Sequence, residues 1–147
     1  MSSVSVTVTN AHRRYRIHRQ RTADYVRRVL RQERKARAEI SVVFVDGAKM
    51  RRLNARYLGH DYATDVIAFP LSDTGRPDGE IYVNVDRARE QADHYGVRFG
   101  DEIARLVIHG TLHLAGYDDA GKAPARRMKA VEDSHVMYWS AKKKVGE

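Results

Sequence analysis

Two histidines and an aspartate in the last third of the chain have the spacing of a metal site. His109 and His113 lie four residues apart in an apolar run, so on a helix their imidazoles project from one face. Gly116 favours a left-handed helix end, after which the chain can reverse and return Asp119 to that face. Three such ligands with an open fourth position are typical of catalytic zinc. The sequence therefore predicts one zinc ion per chain, bound by His109, His113 and Asp119.

The residue after the first histidine bears on whether this metal site could cleave peptide bonds. The spacing H-x3-H-x2-G-x2-D is that of the metzincin metalloproteases, in which a glutamate next to the first histidine serves as the general base. Gly110 occupies that position in this chain. Water attacking a peptide bond would therefore lack its proton acceptor, and the sequence disfavours a peptidase.

Composition limits the kind of protein that can carry this site. The 147 residues are enough for a single domain, 1–147, that buries its own core. The chain has no cysteine, so a metal must be held by histidine or carboxylate. It has no signal-peptide pattern at its start and no run that approaches ~18 apolar residues. We therefore expect a cytoplasmic protein without a membrane span.

The charge of the chain favours a polyanionic partner. The formal net charge is +8, and the isoelectric point is about 9.9. A surplus of this size in a small chain favours nucleic acid, although charge alone does not distinguish RNA from DNA or from an acidic protein. One predicted helix carries four arginines on its polar face, and we expect this face to bind RNA. These residues are Arg27, Arg28, Arg31 and Arg34.

Hydrophobic periodicity predicts the elements that position these residues. Strands and helices are expected in the order βαβαββααα, which indicates an α+β fold. The prediction is a mixed, roughly four-stranded sheet packed with helices, with the metal motif on a central helix from about 101 to 115. Thr22 is expected to cap the first helix, and Asp86 the short helix after the last strand.

Three segments carry a resemblance to a known family. Residues 53–70, LNARYLGHDYATDVIAFP, are similar to the pattern L-N-x-x-Y-R-x-x-D-x-x-T-D-V-L-S-F-P. Residues 79–81, GEI, resemble G-D-I, and residues 109–119 resemble H-G-x-L-H-L-x-G-Y-D-H. These are patterns of the YbeY family, the bacterial rRNA maturation factors and endoribonucleases. With the order of elements, the resemblance extends from about Val4 to Trp139.

The resemblance implies a function and a set of partners. It implies a zinc-dependent endoribonuclease that cleaves single-stranded RNA in rRNA maturation, at the 3′ end of the small-subunit rRNA. The implied partners are rRNA, the small ribosomal subunit and ribosome-associated proteins. The alternative is a ribosome-assembly factor that binds RNA without cleaving it and whose zinc stabilises the fold.

Two positions depart from the family pattern. Asp119 replaces the last histidine of the motif, and a carboxylate is an ordinary zinc ligand. Leu58 stands where the family commonly has an arginine implicated in activity. Arg56, Arg51 and Arg105 are the candidates to replace it as a catalytic cation, the last because it lies one helical turn before His109.

The general base is left open by the sequence. Glu80, Asp65 and a metal-bound hydroxide are the three candidates. Arginines would hold the phosphate and offset the negative charge that develops on it.

Overall fold

The computed structural model describes residues 3–60 and 63–146. The strands are β1 (Ser3–Asn10), β2 (Arg37–Val45), β3 (Val66–Pro70) and β4 (Gly79–Asn84). The helices are α1 (Arg19–Gln32), α2 (Gly47–Leu58), α3 (Val85–Tyr95), α4 (Phe99–Leu114) and α5 (Lys122–Gly146). None of these helices, within the described residues, is both long and apolar enough to cross a membrane.

The four strands form one mixed sheet in the order β1-β2-β4-β3. β1 pairs with β2 and β2 pairs with β4 in parallel, whereas β3 runs antiparallel to β4 at the edge. Parallel neighbours need a crossover connection, which α1 provides between β1 and β2. The predicted α+β fold and the predicted order of elements are confirmed.

The two faces of the sheet carry separate hydrophobic cores. The larger core joins one face to helices that include α1, α4 and α5, with Val26, Val107 and Met128 buried in it. The smaller core lies on the other face, where Met50 of α2 packs with Ile67 of β3. The edge strand β3 is therefore covered on both sides, by α4 and by α2.

Helix α4 lies close to the sheet because Gly110 has no side chain. A Cβ at this position would lie 2.7 Å from Cγ2 of Ile81 and 3.4 Å from Cγ2 of Val66. The first distance is well inside the optimal separation of two carbon atoms, about 3.5–4.0 Å. The predicted histidine-bearing helix is thus a central element, packed directly against β3 and β4.

Two helix starts differ from the sequence prediction. α1 begins at Arg19 with His18 as its cap, and Thr22 lies buried inside the helix, where its hydroxyl donates to the His18 carbonyl. α3 is capped by Asn84, whereas Asp86 lies in the first turn. In both cases the predicted residue is of a type that commonly caps helices, but a residue two to four positions earlier in the chain caps the helix instead.

Candidate metal centre

The structure brings the three predicted ligands together at the end of α4. Nε2 of His113 lies 3.2 Å from Nε2 of His109 and 3.9 Å from Oδ2 of Asp119. One donor atom from each residue lies within 4.8 Å of the other two. Two imidazoles and a carboxylate that converge in this way fit the donor set of a zinc site.

The turn after α4 returns the aspartate to the histidines. The amides of Gly116 and Tyr117 donate to carbonyls of the last turn of α4, at 3.1 and 3.0 Å. Gly116 has a φ of 109°, which glycine adopts without strain. This hydrogen-bond pattern is a Schellman motif. The chain reverses there, Asp118 accepts a bond from the Ala120 amide within the loop, and Asp119 faces His113.

The two imidazoles have different electrostatic environments. Burial acts to lower the pKa of His109, but the hydrogen bond and the charge of Glu132 outweigh burial, and the pKa is raised. The pKa of His113 is lowered, by burial and then by the neighbouring His109. The neutral form of His113, which can donate a lone pair to a metal, is therefore favoured.

Glu132 of α5 is a site residue that the sequence analysis missed. Its Oε1 lies 2.5 Å from Nδ1 of His109, and its Oε2 accepts a hydrogen bond of 2.6 Å from Nη1 of Arg105. A signal was present, because position 132 lies four residues after buried Met128 and three before buried His135. A carboxylate on a buried helical stripe indicates a buried partner.

Two clefts meet at the candidate metal centre. The α5 cleft, of about 680 Å³, lies between α3, α4 and α5. The β3 cleft, of about 840 Å³, lies between the end of α2, β3 and the end of α4. Asp65, His109 and Asp119 line both, whereas His113 lines only the β3 cleft. The residues that line the β3 cleft include Asn54, Leu58, His60, Thr64, Val66, Ile67, Ala68, Pro70, Gly110, His113, Leu114, Gly116, Tyr117 and Asp118.

None of the three candidate arginines, Arg51, Arg56 and Arg105, lines the β3 cleft. Among the described residues that line it, none is arginine or lysine, and Leu58, where the resemblance led us to expect an arginine, is one of them. Arg56 is exposed, with its guanidinium carbon 5.3 Å from the Tyr57 ring centre. Arg105 lies in the α5 cleft, bound by two carboxylates of α5. Residues 61 and 62 of the matching segment lie outside the described residues.

The structure separates the two candidate base carboxylates. Ile81 faces α4, so the neighbouring Glu80 points to the opposite face of the sheet, away from the histidines. Asp65 precedes β3 and lies at the junction of the two clefts with His109. One of its carboxylate oxygens accepts a bond of 2.8 Å from the Val66 amide.

The four arginines predicted to bind RNA differ in position and in contacts. Helix α1 ends at Gln32, so Arg34 lies beyond the predicted helical face, in the turn that follows, with a φ of 58°. Arg27 donates to a β1 carbonyl at 2.7 Å, and Arg28 donates to Nδ1 of buried His135 at 2.5 Å. Arg31 and Arg34 are exposed. Two of the four predicted RNA-binding side chains are therefore also engaged in contacts within the protein.

Comparisons with known proteins show which proteins this chain is similar to. The family described as Endoribonuclease YbeY matches residues 7–140. The endoribonuclease YbeY of Chlorobaculum tepidum is 37% identical over 79% of this chain and 84% of its own length. That of Chlorobium phaeovibrioides is 40% identical over 79% of this chain and 78% of its own. A Thermotoga maritima protein with a solution structure has a TM-score of 0.61 and 26% identity, over 92% of both chains.

Proposed function

The chain belongs to the endoribonuclease YbeY family, and on this premise we propose that it is a zinc-dependent endoribonuclease that cleaves single-stranded RNA. The observation that carries the proposal is the convergence of His109, His113 and Asp119 where two clefts meet. Two imidazoles and one carboxylate leave a coordination position for substrate or water. Zinc is the ion that this donor set favours among the metals of catalytic hydrolases.

The roles of the residues follow from their positions. Zinc, when bound, supplies a Lewis acid that polarises a phosphoryl oxygen or activates water. His109 and His113 would hold it through their Nε2 atoms, which face each other, and Asp119 would add a carboxylate oxygen. We assign Asp65 as the base, because its carboxylate lies at the same junction and can take the proton of the attacking hydroxyl. The oxygen of that hydroxyl forms a bond to phosphorus while the phosphorus–oxygen bond to the leaving nucleotide breaks, and the leaving oxygen takes a proton from water.

The substrate and the partners are part of the same proposal. Family membership supports rRNA as the RNA, maturation of the small-subunit 3′ end as the process and the small ribosomal subunit as the partner. Ribosome-associated proteins are further proposed partners, and the cytoplasm is the proposed location. The net charge of +8 supports binding to the phosphate backbone.

One observation favours a second candidate function. The β3 cleft has no arginine or lysine among the described residues that line it. When a phosphoryl group is transferred, its oxygens gain negative charge in the transition state, and cations normally stabilise that charge. The absence of such a cation from these residues favours an assembly factor, which would bind rRNA without cleaving it and would use its metal to stabilise the fold.

Cleavage of a labelled single-stranded RNA separates the two candidates. The preparation is freed of contaminating nucleases, and wild type is compared with His113→Ala and Asp65→Asn. The endoribonuclease proposal expects cleavage by wild type, loss in His113→Ala and reduced cleavage with intact zinc content in Asp65→Asn. Equal rates in wild type and His113→Ala, or none in either, would leave the assembly factor. A labelled protein substrate should remain intact, since Gly110 replaces the peptidase base.

The missing arginine is tested by restoring it. Leu58 is 46% exposed and lines the β3 cleft, so Leu58→Arg places a cation there. We expect faster cleavage, by up to roughly 100-fold if the new cation stabilises the developing charge. Ala48→Arg is the matched control, because it adds the same charge at an exposed position of α2 that does not line either cleft. Equal acceleration by both variants would indicate a general charge effect on RNA binding.

A further inference from the structure

Glu132 is buried at the rear of the candidate metal centre, and its two oxygens contact different residues. It is 6% exposed. A buried carboxylate is costly unless its charge is paired and its oxygens are bonded. Oε1 contacts Nδ1 of His109 at 2.5 Å, and Oε2 accepts from Arg105 at 2.6 Å. Arg105 in turn donates to Asp133 at 2.8 Å, which places that guanidinium between two carboxylates of α5.

This contact determines which nitrogen of His109 carries the hydrogen. A carboxylate only accepts, so the imidazole nitrogen that faces it must be the N–H. In the neutral ring, which is the form that binds a metal, the hydrogen is therefore on Nδ1, and Nε2 has a free lone pair. Nε2 is the atom that lies 3.2 Å from Nε2 of His113, on the side of the ring that faces the other two predicted ligands.

We propose that Glu132 is a positioning residue that fixes the tautomer and the ring orientation of His109 for metal binding. The inference rests on the metal site of the proposed function. The carboxylate acts from the Nδ1 side, so it supports the ligand and does not compete for the coordination position. Carboxylates in this relation to a histidine ligand also increase its basicity.

The proposal assigns a separate role to Arg105. The guanidinium pairs with the charge of Glu132 from the side opposite His109, and it is itself held by Asp133. Arg105 therefore maintains the carboxylate in its ionised, accepting form. Its pKa is raised, because the bonds to Asp133 and Glu132 outweigh the lowering effect of burial. Its hydrogen bonds are directed to α5, so it acts through Glu132.

The chain offers a matched pair of carboxylates for the test. Glu132→Ala removes the acceptor, and Glu132→Gln keeps an acceptor oxygen without the charge. Asp133→Asn is the control, because Asp133 binds the same Arg105 from the same helix without a contact to His109. Zinc affinity is measured by competition with a chromophoric chelator. The tautomer of His109 is read in metal-free protein by NMR of the imidazole nitrogens.

The expected results differ among the variants. Glu132→Ala should weaken zinc binding by roughly 10–100-fold, and Glu132→Gln by less. Asp133→Asn should stay close to wild type. At a pH at which the His109 ring is neutral, metal-free wild type should have its hydrogen on Nδ1, and Glu132→Ala should shift it to Nε2 in part or in whole. If Glu132→Ala does not fold, which circular dichroism will show, Glu132→Gln carries the comparison.

Two results would overturn the inference. One is unchanged zinc affinity and tautomer in Glu132→Ala, or in Glu132→Gln if only that variant folds. The other is an equal loss of zinc affinity in Asp133→Asn, which would indicate a general effect on α5. His113→Ala separates the inference from the metal site itself, since it should abolish zinc binding and leave the His109 tautomer unchanged. No measurement in this test uses RNA, so a failure of the nuclease proposal would be distinguishable from a failure of this inference.

Discussion

Asp119 is the most exposed of the three predicted ligands. Its side chain is 60% exposed, against 28% and 30% for His109 and His113. Its carboxylate lies 3.9 Å from Nε2 of His113, farther than the 3.2 Å between the two imidazoles. It lies in the loop after α4, so its position depends on the turn at Gly116. The aspartate is thus the ligand whose contribution to metal binding most needs a direct measurement.

We predict that Asp119→Ala weakens zinc binding by more than the roughly 10–100-fold typical of losing an outer partner, because a direct ligand is removed. Asp119→His should keep about one zinc per chain, since imidazole is an equivalent ligand. Elemental analysis after dialysis and chelator competition measure both. Unchanged affinity in Asp119→Ala would show that two histidines bind the metal without it, and the three-ligand assignment would then be wrong.

Sequence reasoning was most successful where local pattern decides the structure. The two histidines on one helix, the glycine turn and the return of the aspartate all follow from spacing within eleven residues. Glu132 was missed because its contact with His109 spans 23 positions. Arg105 was expected to flank the metal, and it lies in a cleft beside His109 with its hydrogen bonds directed to α5. The packing of the helices decides which distant residue a charged side chain contacts, and local spacing does not reveal that packing.

At the scale of elements, the order of strands and helices could be predicted because hydrophobic periodicity and glycine positions are strong signals. The exact starts of helices could not. His18 capped α1 through its ring nitrogen, and Thr22 turned inward to donate to the His18 carbonyl. Asp86 accepts from the Gly47 amide and contacts His12, which joins three segments at one end of the sheet. Tertiary contacts of this kind override local capping preference.

The contact of α4 with the sheet gives a stability prediction. Gly110→Ala should destabilise the metal-free protein, because its Cβ would meet Ile81 at 2.7 Å. Overpacking costs about 1–3 kcal/mol, and the better helix propensity of alanine offsets about 1 kcal/mol. A net loss of up to about 2 kcal/mol should appear as a lower urea midpoint. Gly47→Ala is the control, since its Cβ would meet nothing closer than 3.7 Å. Equal midpoints in the two variants would contradict the packing argument.

The contact between α1 and α5 gives a pH prediction. His135 is 2% exposed, and burial and then the nearby Arg28 lower its pKa. The folded state therefore binds a proton less readily than the unfolded chain. Stability from this group is present above the unfolded value, about 6.5, and decreases as the pH falls through and below it.

His135→Gln provides the comparison for this effect. The free energy of unfolding is measured by urea denaturation of wild type and variant at about pH 7.5 and about pH 5.5. Wild type should lose more stability than His135→Gln between the two, so the difference between the proteins should narrow at the lower pH. A constant difference would show that His135 titrates in the folded protein as it does in the unfolded chain.

At the scale of the whole molecule, the charge of +8 is concentrated on particular helices. Besides α1, helix α2 has four exposed cations and no acidic residue between its first and last positions. The end of α2 borders the β3 cleft through Leu58. An RNA strand entering that cleft would therefore pass α2. The exposed cations of α2 are Lys49, Arg51, Arg52 and Arg56.

We predict that reversing two charges on α2, Arg52→Glu with Arg56→Glu, weakens RNA binding more than Arg27→Glu with Arg31→Glu on α1. The net charge is equal in the two double variants. Because Arg27 also donates to a β1 carbonyl, circular dichroism checks that the α1 variant is folded before the binding constants are compared. On single strands the log–log salt slope changes by about 0.7 for each phosphate contact, so the α2 variant should lose about 1.4. Filter binding of labelled RNA across salt concentrations measures this. The reverse ranking would place the RNA on α1, as the sequence pattern indicated.

The absence of a side chain at Gly110 also affects how a protein of this kind could evolve into a peptidase. This chain and the metzincins share the spacing of their ligands but differ at the residue beside the first histidine. Acquiring the peptidase glutamate here would bring its Cβ to 2.7 Å from a methyl carbon of Ile81 of β4, so the side chain of Ile81 or the helix would have to shift. A lineage that changed from one chemistry to the other would therefore gain from a smaller residue at position 81 before the glutamate arrived.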